Sequence, residues 1–285
     1  MNWKDKYQPD EEFLANYEVV ETIGEGGVGE VFLGRQKELE RYVAIKFLSR
    51  RFTDDAESMR RFEREARVLA QLDHPNIVRV INFCKRSKTP YLVLEYVDGE
   101  SLRTMLQRKG ALDPWTALEI MKSICTGLQA AHEVEIIHRD IKSDNILIAK
   151  DGKVKLLDFG LAKSSMKHLG ETATGVILGT PAYMSPEQCH GEALDGRSDI
   201  YSAGIVLYQM LTGKVPFEDE STLKVLQHQV STPPPSLREV SSPIREELEE
   251  LVHRAMDKEA AKRYRTASAF SASIERVQTR LLKLR

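Results

Sequence analysis

The stretch Ile137-His138-Arg139-Asp140-Ile141-Lys142-Ser143-Asp144-Asn145-Ile146-Leu147 constrains this chain more than any other. It follows an apolar run with helical spacing and precedes Leu157-Asp158-Phe159-Gly160. Its polar groups are too many and too mixed for an ordinary core. Asp140 can accept a proton, and Lys142 can neutralise an anion. Asn145 offers a neutral oxygen and Asp158 an anionic one, donor types that suit a hard cation such as Mg²⁺. Taken singly, each residue reads most simply as a loop residue or a cap. Together, a base, a cation and two hard oxygens are the parts phosphoryl-transfer chemistry needs. H-R-D-x-K-x-x-N followed by D-F-G also fixes residue types in a set order that chance does not supply.

Upstream the pattern is strand-rich. Residues 1–16 are polar and read as an N-terminal arm. Residues 17–23 are strand-like and lead into Gly24-Glu25-Gly26-Gly27-Val28-Gly29. Glycines let backbone N–H groups approach phosphate oxygens. The motif alone is weak evidence. A dinucleotide-binding loop would run straight into a helix, and a plain structural hairpin carries similar glycines. Here Glu30-Val31-Phe32-Leu33 reads as a strand, which favours a hairpin flap. Lys46 stands among β-formers, where the simplest reading is an edge lysine facing water. In the next helical segment Met59, Phe62, Ala66 and Leu69 recur at helical spacing, and Glu65 falls on the same side. A carboxylate aimed at a core needs a cationic partner, and Lys46 is the candidate.

Residues 77–81 and 91–96 read as further strands, and Asp98-Gly99 as a turn and hinge. Helices dominate beyond. Asp113-Pro114 is an N-cap with a first-turn proline. Ala117, Ile120, Ile124, Leu128 and Ala131 then share one core face. Residues 153–157 alternate as a strand leading to Asp158. Residues 161–187 are rich in hydroxyls, and so long an irregular segment reads as a loop or a switch. Ile200, Ala203, Leu207 and Met210 form a stripe closed by Gly213. Residues 245–257 and 266–282 read as final amphipathic helices.

Composition narrows the function classes. A net charge of −2 argues against a nucleic-acid partner. Cys84, Cys125 and Cys189 are scattered and odd in number, with no zinc-like pair, so reduced thiols in a cytoplasmic protein are expected. Cys189 alone leaves a reactive thiol open, with buried packing preferred. The N-terminus lacks an apolar signal core, and no apolar run reaches membrane-spanning length.

With these motifs in order, the chain resembles the protein kinase superfamily, specifically the bacterial serine/threonine kinases of eukaryotic type. The resemblance covers residues 17–277 and implies an α+β, bilobal protein kinase fold. Residues 17–97 would be a small antiparallel-sheet N-lobe with one main helix, and 98–285 a larger, mostly helical C-lobe. It implies that Gly24, Glu25, Gly26, Gly27, Val28 and Gly29 cover ATP, although Val28 departs from the aromatic common at the flap tip. Lys46, paired to Glu65, would hold the phosphates. Ile23, Val31, Ala44 and Leu147 would sandwich adenine, with Leu94 as gatekeeper and the backbone of Glu95 and Val97 at the base. Asp140 would be the catalytic base, Lys142 a γ-phosphate contact, and Asn145 and Asp158 the ligands of Mg²⁺, with Mn²⁺ as the alternative ion. Glu187 of Ser185-Pro186-Glu187 would pair with Arg263, and Asp199 would brace the catalytic loop. Lys142 and Thr180 imply serine/threonine rather than tyrosine as acceptor, on protein substrates, in signal transduction. Thr172 and Thr174 match positions of activating phosphates, which implies self-association for autophosphorylation in trans. The competing class is a pseudokinase, a nucleotide-binding or scaffolding module without chemistry. Retention of Lys46, Glu65, Asp140, Asn145 and Asp158 together argues for the enzyme.

Overall fold

The computed structural model describes residues 3–26, 29–49, 53–85, 87–159, 180–240 and 246–283. The backbone divides into two units. Among the described residues, the first holds 3–74 and 78–98, and the second holds 75–77, 99–159 and 180–283.

In the first unit, β1 (Tyr17–Gly26), β2 (Gly29–Gln36), β3 (Arg41–Leu48), β4 (Val80–Cys84) and β5 (Tyr91–Glu95) form an antiparallel sheet of order β1-β2-β3-β5-β4. Residues opposed across strands share a face. Val31, Lys46 and Leu92 make one row and Leu33, Ala44 and Leu94 the next. The opposite face carries Glu30, Phe47 and Tyr91, then Phe32, Ile45 and Val93. Gly29, at φ 159°, opens β2; a Cβ there would lie 1.8 Å from the Phe47 carbonyl oxygen, so only glycine fits. Helix α3 (Ala56–Gln71) buries Met59, Phe62, Ala66 and Leu69. The Phe62 ring sits 5.5 Å from Phe83 of β4.

Two stretches differ from the sequence expectation. Residues 1–16 were expected as a polar arm, but α1 (Trp3–Tyr7) and α2 (Glu11–Asn16) are folded onto the sheet. Tyr7 and Phe13 are buried with Phe32, Phe47 and Tyr91, and α2 is capped by Asp10 accepting from Phe13 N at 2.8 Å. Sparse aromatics among polar residues supply the buried area. The strand expected over 77–81 is divided. Asn76 accepts from Leu156 N at 2.8 Å and donates to Val154 O at 2.9 Å, and Ile77 bridges Leu156, all within the second unit. β4 therefore starts at Val80.

The second unit has a small sheet of β6 (Gly99–Ser101), β7 (Ile146–Ala149) and β8 (Val154–Leu156). Helix α4 (Leu102–Lys109) follows β6. In α5 (Pro114–Glu133), Asp113 caps by accepting from Thr116 N at 3.0 Å. After the short α6 (Pro186–His190) comes α7 (Gly196–Thr212), buried at every residue from Ser198 to Tyr208. A helix buried on every side sits at a core's centre, and its few polar side chains there must be hydrogen-bonded. Gly213 ends it in the left-handed region, φ 80°. Helices α8 (Thr222–Ser231), α9 (Leu237–Val240), α10 (Glu246–Ala255) and α11 (Ala267–Lys283) complete the unit. α11 packs on α5, and α10 on α7. No helix among the described residues is long and apolar enough to cross a membrane.

Candidate active site

The loop after α5 is held by a carboxylate on α7. Asp199, 1% exposed, accepts from His138 N and Arg139 N, each at 2.8 Å, and meets His132 Nε2 at 2.8 Å. Arg139 adopts φ 63°, a conformation costly for a side-chain-bearing residue unless its surroundings impose it. Here they do: Asp199 takes its N–H, and Gln188 of α6 donates to its carbonyl at 3.0 Å.

His138 is fully buried. Its Nε2 faces the Leu157 carbonyl at 2.7 Å and its Nδ1 accepts from Asp140 N at 3.3 Å. A carbonyl only accepts, so Nε2 carries the proton and the ring is neutral. Burial pushes its pKa below the usual range, more than the nearby Asp199 and Asp140 carboxylates raise it. One ring thus links the Asp140 backbone to the loop bearing Asp158, and its ring lies 4.5 Å from Phe159.

These braces bring four of the expected residues together. Asn145 Nδ2 donates to the Asp140 carbonyl at 2.8 Å and to Asp140 Oδ2 at 2.9 Å. Both partners are acceptors, so the amide nitrogen must face them and Asn145 Oδ1 points away. Lys142 Nζ lies 3.4 Å from Asp140 Oδ2 and donates to Thr180 Oγ1 at 3.2 Å. Asp158, exposed and at φ 46°, is the second backbone outlier of this loop pair. An amide oxygen and a carboxylate are hard donors. Among the described residues no group of three or more His, Cys, Asp or Glu gathers elsewhere as a metal cage. That donor set fits an ion held by one or two protein oxygens and completed by water and phosphate.

The wall beside Lys142 is a polar chain. Ser143 Oγ meets Tyr183 Oη at 2.9 Å, and Tyr183 donates to Gln209 Oε1 of α7 at 2.8 Å. Glu187 and Arg263 form the anticipated pair, at 2.7 and 2.9 Å, with the Arg263 side chain fully desolvated. Burial alone would raise the Glu187 carboxyl; Arg263 and Ser198 outweigh it and hold the group below the usual carboxylate range. Cys189 is pushed up to about 11 by burial and by Glu187, so it is a protonated packing thiol at neutral pH. The parts the sequence did not disclose are His138's bridge, His132, Gln188, and the chain from Ser143 to Gln209.

The first unit carries most of the other expected residues. Gly26 opposes Gly29 and Glu25 opposes Glu30, so the glycine loop joins two antiparallel strands and no helix follows it. Val31, Lys46, Ala44 and Leu94 share one sheet face, Lys46 half-buried and Ala44 and Leu94 buried. Glu65 is half-buried on α3, beside buried Phe62, Ala66 and Leu69. Ile23 is exposed, with Gly24 a residue on in β1. Glu95 N donates to Arg79 O at 2.9 Å, so any contact from Glu95 to a base must use its carbonyl. Val97 is half-buried after β5, and Leu147 is half-buried in β7 of the second unit. Gly27, Val28, Thr172 and Thr174 lie outside the described residues.

Comparison with known proteins agrees with this fold and these motifs. The family model for the protein kinase domain matches residues 17–273. The chain belongs to the protein kinase domain family. It is 39% identical over 264 residues to a probable serine/threonine-protein kinase, CPE1738, of Clostridium perfringens, covering 92% of this chain and 38% of that protein. Against the first curated relatives, the chain spans only about two fifths of their length. The crystal structure of the Mycobacterium tuberculosis PknI kinase domain superposes with a TM-score of 0.74 at 26% identity, covering 92% of this chain and 96% of that one. Rad53 1–466 in complex with AMP-PNP gives 0.77 at 28% identity, covering 92% and 66%. Membership in this family implies ATP and a divalent metal ion.

Proposed function

We propose that the chain is the catalytic domain of an Mg-ATP-dependent serine/threonine protein kinase. The observation that carries this reading is the cluster of Asp140, Lys142, Asn145 and Thr180, whose contacts lie between 2.8 and 3.4 Å. Bound Mg-ATP supplies the transferable phosphoryl group and neutralises charge on its phosphates. Asn145 and Lys142 hold Asp140 Oδ2, which assigns Oδ1 to accept the proton of the attacking hydroxyl. Lys142 places its charge where the transferring group gathers negative charge, and its bond to Thr180 positions the segment assigned to the acceptor. Asn145 Oδ1 and the Asp158 carboxylate would hold the ion, and Mg²⁺ is the ion their chemistry suits best.

Lys46 with Glu65, residues 23–29, Val31, Ala44, Leu94, Glu95, Val97 and Leu147 are assigned to the nucleotide. The Rad53 neighbour, in complex with AMP-PNP, supports a nucleotide as the ligand class. Serine/threonine acceptors are supported by the named relatives and by the Lys142–Thr180 contact. The three free cysteines and the demand for ATP favour a cytoplasmic setting. Thr172 and Thr174 are assigned as sites of autophosphorylation in trans, where phosphate would meet the Arg139 guanidinium.

The test is incubation with labelled Mg-ATP, with and without generic protein acceptors, followed by phosphoamino-acid analysis. Label on serine or threonine is expected. Nucleotide binding with no transfer to any acceptor would favour the pseudokinase instead. Mass spectrometry of protein expressed alone should find phosphate at Thr172 or Thr174. Its absence from both would remove that switch.

A further inference from the structure

The family match begins at Tyr17, yet residues 3–16 are part of the first unit's core. They cover the sheet face opposite Lys46 and Val31. Tyr7 stacks on Phe47 with centroids 4.9 Å apart, and Phe13 meets Tyr91 edge-on at 5.0 Å. Trp3 lies 6.1 Å from Phe32 of β2 and 5.9 Å from Phe47 of β3. Beside these rings the Lys6 ammonium forms an ion pair with Glu30, whose side chain is 15% exposed. That pair raises the Lys6 pKa.

Glu30 sits one residue past Gly29 and directly opposite Glu25 of β1. Like charges opposed across an antiparallel pair push the strands apart. The hairpin that carries the glycine loop therefore has a repulsive rung beside its turn, and Lys6 is a cation that offsets it. Alternation ties this to the other face of β2, because fixing Glu30 also fixes the directions of Gly29 and Val31.

We propose that α1 and α2 form a strap that stiffens the glycine loop by holding the start of β2, with Lys6 and Trp3 as positioning residues. The strap never touches the nucleotide. It holds Glu30 and the start of β2 in place beside the residues assigned to the nucleotide, so its loss weakens nucleotide capture more than phosphoryl transfer. The kinetic part of this inference rests on the kinase reading above; the structural part does not.

Removing residues 1–16 would uncover the aromatic core and unfold the unit, so charge variants carry the test. Lys6→Glu should speed amide hydrogen exchange across residues 24–32 in the nucleotide-free protein. It should also raise KM for ATP by about twofold to fivefold, the range set by one partly exposed pair, with kcat changed by less than about twofold. The swap Lys6→Glu with Glu30→Lys should restore both. Unchanged exchange in Lys6→Glu, or a double variant no closer to the parent than the single one, would overturn the strap. The exchange measurement decides that by itself, whatever the activity assay returns for the kinase reading.

Discussion

His138 is buried as a neutral imidazole, with Leu157 O on one nitrogen and Asp140 N on the other. The unfolded chain takes up a proton near pH 6.5 that the native ring refuses. Stability from this site is therefore complete above that pH and is lost progressively as pH falls below it. His138→Phe keeps a ring but cannot titrate. In metal-free urea unfolding, the variant should be less stable than the parent at pH 7.5 and should lose less further stability on going to pH 5.5. Parallel losses in the two proteins would mean the ring is not held neutral. Lys46 and Glu65 make the second prediction at this scale. Each faces an apolar surface that penalises an unpaired charge, so the two should act as a unit. Lys46→Met and Glu65→Gln should each cut phosphoryl transfer strongly. The double variant should fall short of their summed loss by ~0.5–3 kcal/mol, read from kcat/KM. Strict additivity would mean they do not meet.

The N-terminal helices show how an element can hide from a sequence reading. Trp3, Tyr7 and Phe13 are isolated among charged residues, and no run of apolar periodicity announces them. Their burial depends on Phe32, Phe47 and Tyr91, which arrive from strands far along the chain. Phe13 is fully buried, so Phe13→Ala should cost about 3–5 kcal/mol in chemical unfolding; a merely polar arm would lose almost nothing. The active-site loop is the opposite case. Asp140, Lys142 and Asn145 lie within six residues of each other, so their chemistry could be read in a line. Helices with strong punctuation were equally legible, as with Asp113 opening α5 and Gly213 closing α7. The braces were harder to see. Gln188 reaches Arg139 from 49 residues away, and Tyr183 reaches Ser143 from 40. Nothing local marks a glutamine or a tyrosine as the partner of a strained carbonyl or a buried hydroxyl; only the packing of α6 and α7 brings them there.

At the scale of the whole molecule, the account joins two claims. On the proposed function, the first unit presents the sheet face assigned to the nucleotide, and the second holds the carboxylate assigned to take a proton. Asp140 belongs to the second function and makes no contact assigned to the nucleotide. Asp140→Asn is nearly isosteric and leaves the Asp140 main chain that Asn145 and His138 grip. The most direct measurement compares parent and Asp140→Asn for nucleotide affinity by calorimetry and for phosphoryl transfer to a protein acceptor with labelled Mg-ATP. The account predicts nucleotide affinity within about threefold of the parent, while transfer falls by at least about 10²-fold, the scale of a lost general base. Transfer at the parental rate by a folded Asp140→Asn protein would contradict it.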